Sequence, residues 1–417
     1  MKKITTISLV TLMMSSTIGQ EVTETVTIES GQTNQTWYSL ENGTQGTALA
    51  GEWDLAFDVS SSFGTSIHAN TASGVSVWVY QNGDIDDWST IDTAGFSTWS
   101  SLYNSDTSWA LGAFDVTANP SDAFDVGWGI YNSITHVISG DSIHIIELAN
   151  GDFKKLKIES LLSGSFNFTY ADLDGNNEVS TSLTKADYQD KLFGYYSIQN
   201  EEVLDREPVV LNEWDLLFTK YTAFLPVAYP VAGILSSPNV QVAEVNGVTD
   251  VPNFYDWPSQ TFTAEINEIG YDWKSFNGSG YDIASDLVYF IKTQNDDIWK
   301  VVPTGFGGNT TGDFEFTKEK LSSASLGDND KPTISFTLYP NPNNIDNVHL
   351  VYSATKNNTF KTTIISSTGR VVNQFEVNTN HSFETKTIDV SNLESGIYFV
   401  EVTSKGQKTT QKLIIQK

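Results

Sequence analysis

At 417 residues the chain is too long for one ordinary hydrophobic core. Its 39% hydrophobic and 12% aromatic content is enough apolar surface to exclude global disorder. The net charge is −28 and cysteine is absent, which excludes disulfides, thiolate metal sites and thiol nucleophiles.

The N-terminus, MKKITTISLVTLMMSSTIGQEV, places two lysines before a largely apolar stretch and small residues before Gln20. That is the pattern of a secretory signal peptide over residues 1–19, cleaved before Gln20. No later stretch reaches the ~18–20 apolar residues of a spanning helix. The expected product is exported, with no transmembrane segment.

Beyond the leader the composition is rich in Thr, Ser, Asn, Val, Ile, Tyr and Trp, which favours strands over helices. Two phrases nearly coincide: EWDLAF (Glu52–Phe57) and EWDLLF (Glu213–Phe218). WYSLENG (Trp37–Gly43) and YYSIQNE (Tyr195–Glu201) precede them, and VGWGIYN (Val126–Asn132) and IGYDWKS (Ile269–Ser275) follow. Each series closes on a strand, an Asn/Asp turn and a second strand (Gly140–Ile158, Ala284–Pro303), then SFNFT or DFEFT. Matches in one order predict two copies of one all-β module, at 20–171 and 187–321. The first carries a Trp-rich insertion over Val77–Phe114. By strand alternation, the Trp of each phrase is expected to share a core-facing side with the Leu and to touch no ligand.

A polar linker over 322–332 leads to a third unit, 333–417, whose short alternating strands predict a small immunoglobulin-like β-sandwich. The charge divides along the same line: residues 20–332 hold 13 basic and 45 acidic side chains, a net of −32, whereas 333–417 nets +2. Such an acidic surface repels phosphate backbones, so nucleic acid is not an expected partner.

SFTLYPNPNN (Ser335–Asn344), STGR (Ser367–Arg370), LESGIYFVEV (Leu393–Val402), Gly406 and the terminal KLIIQK resemble the C-terminal sorting domain of type IX secretion in Bacteroidetes. The resemblance implies that the third unit engages the secretion machinery and is cleavable. It further implies that the protein crosses the outer membrane, to lie outside the cell or on its surface.

The aromatic approach to each phrase (Tyr38, Tyr196), the WDL-x-F strands and the closing strands resemble the HmuY family of haem-binding proteins. That resemblance implies a non-enzymatic binder of haem or a related porphyrin, clamped between two axial side chains. The mature chain has no Met, and 187–321 has no His. In the first module His68 and His136 are the candidate axial pair, each expected in a loop. His144, on an apolar strand, reads first as a packed structural histidine.

Two other readings stand beside haem. DLDGNNE (Asp172–Glu178) places Asp172, Asp174, Asn176 and Glu178 at alternating positions, as a calcium loop does, or forms a solvated acidic turn. Trp78, Trp88, Trp99 and Trp109 of the insertion offer a platform for a surface glycan, or fill a core. No nucleophile elbow, zinc-protease or phosphate-loop motif points to catalysis.

Overall fold

The computed structural model describes residues 20–322, 334–354, 359–366, 369–378, 383–404 and 407–417. The expected leader, most of the linker, and His381, Ser367 and Gly406 lie outside the described residues. The protein is all-β, and among the described residues the only α-helix is the single turn Gly308–Thr311. The chain divides into two compact units, Met1–Ser325 and Leu326–Lys417.

The first unit holds two sandwiches, and the chain crosses between them. In one, strands Leu55–Asp58 and Phe193–Ser197 pair within a four-stranded sheet. That sheet faces a larger one containing Phe153–Leu162, Ser165–Asp172 and Val179–Thr184. Leu55, Phe57, Trp128, Phe166, Phe168 and Tyr196 meet in its core. In the other, Leu216–Phe224 pairs with Asn34–Ser39, and Val22–Thr27 lies along Asp313–Ser322. Tyr38, Phe218, Trp273, Tyr289, Phe314 and Phe316 fill that core.

Each repeated phrase therefore pairs with the aromatic strand that opens the other sequence copy. Strands of 22–49 complete the sandwich built from 213–322. Val179–Thr184, which lies between the segments 20–171 and 187–321, and Phe193–Ser197 complete the first sandwich. The Asp of each phrase fastens the exchange. Asp54 accepts from the backbone N–H of Ile198 (2.7 Å) and Gln199 (3.1 Å). Asp215 accepts from Leu40 N–H at 2.8 Å. Burial raises both carboxyls above their usual range, and these hydrogen bonds oppose the rise.

The Trp and Leu of each phrase face different ways, contrary to the alternation expected from sequence. The strands start only at Leu55 and Leu216, so Trp53 and Trp214 precede the pleat. Leu55 and Leu216 enter the two sandwich cores, whereas Trp53 and Trp214 pack between the sandwiches.

The second unit pairs a three-stranded sheet (Ile334–Tyr339, Asn347–Ala354, Phe383–Asp389) with a four-stranded one (Val371–Asn378, Thr359–Ser366, Gly396–Ser404, Gln407–Ile415). Its Tyr-Pro-Asn-Pro motif fastens the last strand. Asn341 accepts from Ile414 N–H (2.9 Å) and donates to Lys412 O (2.7 Å). The buried Asn343 exchanges backbone hydrogen bonds with Ile414 and Gln416.

Candidate ligand cleft between the two sandwiches

The two four-stranded sheets turn their outer faces toward each other. Strand alternation that sends Tyr38, Phe57 and Tyr196 into the sandwich cores sends Trp37, Ala56 and Tyr195 into the space between. Trp53 and Trp214 join them from opposite sandwiches. The insertion adds Trp109, whose indole N–H donates to Ser236 O at 2.8 Å and so ties one sandwich to the other. Gly112 lets the insertion lie this close: a Cβ there would stand 2.0 Å from Ile67 O.

One corner of this space is held by charge. Arg206 donates to Glu52 (2.9 Å), Gln35 (2.7 Å) and Leu49 O (2.6 Å). Its guanidinium lies 4.8 Å from the Tyr195 ring centre and 5.6 Å from that of Trp37. Glu207 accepts from Leu192 N–H, Phe193 N–H and the Tyr195 hydroxyl. Burial nevertheless pushes its carboxyl up to about 7.

The packing leaves a cavity of about 80 Å³. Its walls include Trp37, Trp53, Trp109, Trp214 and Tyr221. Three of these carry polar atoms that are buried without a hydrogen-bond partner: Trp53 Nε1, Trp214 Nε1 and the Tyr221 hydroxyl. Buried donors are nearly always paired, so three unpaired ones among these residues are unusual.

His68 lines the same cavity, but on strand Ile67–Ala69 rather than in a loop. Its Nε2 donates to Trp109 O at 2.9 Å, and Phe193 packs edge-on at 4.8 Å. Burial lowers its pKa to about 4, so the ring is neutral. His136 stands on the exposed turn between Gly129–Asn132 and Val137–Gly140, in the left-handed region (φ 57°), against the Tyr131 hydroxyl at 2.7 Å. His144 is fully buried against Phe114, with neither ring nitrogen paired, and burial lowers its pKa to about 3. The three imidazoles have separate surroundings, and the structure does not bring His68 and His136 together. A two-histidine haem clamp does not fit these residues.

The acidic hairpin loop directs its donors to protein. Asp172 holds Lys154 and Asn177, Asp174 caps Asn176, and Glu178 accepts from Trp88 Nε1 at 2.8 Å. Among the described residues no group of three or more His, Cys, Asp or Glu is placed to hold a metal ion. Trp78 and Trp99 pack with Phe96 and Phe153 beneath the insertion, and Lys155 and Lys157 cover Trp88. Of the four insertion tryptophans, only Trp109 reaches the cavity. Sequence reasoning missed Trp37, Trp53, Trp214 and Tyr221. The repeated phrase itself was the available signal.

Residues 337–416 match the family model for the secretion system C-terminal sorting domain. The protein thus carries a type IX sorting domain and is exported to the outer membrane or the extracellular space. No curated protein matches the chain. Among solved structures, dimeric latent PorU from Porphyromonas gingivalis is similar at 10% identity, over 67% of this chain and 31% of that one, with a TM-score of 0.18. The chain therefore spans about a third of that protein's length. The BSP domain of a biofilm-associated protein is similar at 10% identity over 98% of this chain and 68% of that one, with a TM-score of 0.16. Neither likeness extends to the architecture.

Proposed function

We propose that the protein is a non-enzymatic surface or secreted binding protein, with two HmuY-like sandwiches that hold a glycan in the cleft between them. The observation that carries this reading is the aromatic-walled cavity between the sandwiches, lined by Trp37, Trp53, Trp109 and Trp214. Sugar rings suit such walls: their C–H faces stack on indole and their hydroxyls accept from N–H and O–H donors. Haem ranks below this reading, because His68 is committed to Trp109 O and His136 sits on a separate turn.

A glycan array probed with the mature chain, beside a haemin titration, tests the choice. Saccharide binding without a Soret band supports the glycan reading. A sharp Soret band that His68→Ala abolishes reverses the ranking.

A further inference from the structure

We infer that the protein has a second, separate ligand site, a polar cleft in the sandwich built from residues 213–322 that takes a short, uncharged saccharide. Around Trp214 the chain faces two ways. Trp214 lines the cavity between the sandwiches, whereas its neighbours Glu213 and Asp215 line a cleft of about 490 Å³. That volume lies within the ~300–1,000 Å³ of small-molecule sites. Three stretches far apart in sequence build the cleft: residues 39–45, the phrase at 212–215 and the turn 293–297. Lys320 ties two of them together through Glu41 (2.6 Å) and Asp297 (3.0 Å). Gln294 joins the third by donating to Asn212 O at 2.6 Å. The walls are therefore held to one another without a ligand.

The accessible groups on those walls are mainly amides. Asn42, Asn212 and Asn295 are exposed on the cleft. A primary amide both donates and accepts, as a sugar hydroxyl does. Trp299 is the one aromatic residue of the lining, so the cleft has no broad apolar wall for a ring system such as haem. Charge narrows the ligand further. Four carboxylates face one ammonium, which opposes a phosphate, a sulfate or an acidic sugar. Lys320 already pairs with Glu41 and Asp297, and Asp215 accepts from Leu40 N–H, which leaves Glu213 as the open acceptor. A small cation would use Glu213 and leave the amide donors unmatched, whereas a neutral polyol matches both. The two copies of the phrase differ at this acid. Glu52 is held by Arg206 at 2.9 Å, while Glu213 is exposed on the cleft. The first copy closes with a protein cation the position that the second leaves open.

The experiment places the full mature chain carrying Trp214→Phe, which weakens the aromatic cavity, on an array of neutral and acidic saccharides. Calorimetric titration with the best-bound neutral saccharide follows. One site per chain is expected, with a sugar preference unlike that of the aromatic cavity because the walls differ. Adding Asn212→Ala and Asn295→Ala should weaken this site about tenfold, equivalent to about 1.4 kcal/mol. Both side chains are exposed, so thermal melts should be unchanged, which controls for folding. No neutral saccharide bound by the Trp214→Phe chain, or binding indifferent to the two asparagines, overturns the inference and leaves the glycan reading of the aromatic cavity standing. A preference for acidic saccharides at this site overturns the uncharged ligand. Saccharide binding by the parent that survives Trp214→Phe but is lost with the asparagines supports the inference and overturns the reading of the aromatic cavity.

Discussion

The two sandwiches share one register and differ in what they place on it. His144 of the first lies opposite Val79 and Leu156, just as Tyr289 of the second lies opposite Glu244 and Val301. Tyr289 reaches Ile269 O at 3.2 Å, whereas both His144 nitrogens are unpaired. The first sandwich also carries the aromatic insertion. Its Trp109 closes the cleft against Tyr221, Leu235 and Ile266 of the second. The two phrases supply equivalent walls, and the insertion encloses the space between them.

The largest test of that comparison removes the crossing strands. Deleting residues 20–49 takes Val26, Ile28, Tyr38 and Leu40 from the second core. Cooperative unfolding of the second sandwich should vanish, while the first stays protected in hydrogen exchange. Equal protection of both after deletion would break the crossed pairing.

Next come the fastening carboxylates. Asp54→Ala and Asp215→Ala each leave one buried backbone N–H unpaired, that of Ile198 or Leu40, and each should cost about 1–3 kcal/mol in denaturant unfolding. Similar losses confirm the equivalence, and a large inequality sharpens which crossing matters more.

Glu207 offers a pH test. Burial raises its folded value from 4.5 to about 7, so the fold prefers the protonated form. Its stabilising contribution is therefore complete below about pH 4.5 and is lost as pH rises through 7. The buried, neutral His68 and His144 act in the opposite sense, losing stability as pH falls below 6.5. The difference between parent and Glu207→Gln isolates the carboxyl. The parent should lose on the order of 1–3 kcal/mol relative to the variant between pH 5 and 8. A difference independent of pH would contradict the assignment.

The smallest effect belongs to the odd histidine. His144→Leu removes two unpaired buried polar atoms and should stabilise the first sandwich by about 1–2 kcal/mol. Destabilisation would mean that the imidazole has a bonded partner in solution.

The all-β class and the sorting unit were legible because alternation and the Tyr-Pro-Asn-Pro motif are local signals. Pairing was not. Leu55–Asp58 and Leu216–Phe224 are so alike that either could pair with Asn34–Ser39 or Phe193–Ser197, and only three-dimensional closure selects the crossed arrangement. The cleft was hidden for a related reason. Trp53 and Trp214 sit two residues before the regular strand, where alternation gives no direction. His68 reads as a loop residue because it falls in GTSIHANTASG soon after the WDLAF strand, yet three residues, Ile67–Ala69, are strand enough to bury it.

The central claim is that the aromatic cavity between the two sandwiches binds one ligand. A calorimetric titration of the mature chain with its best-bound saccharide, run beside Trp214→Phe, tests it most directly. One site per chain, weakened about tenfold by the loss of one wall indole, is the predicted result. Two equivalent sites per chain, or an affinity indifferent to Trp214, would contradict it.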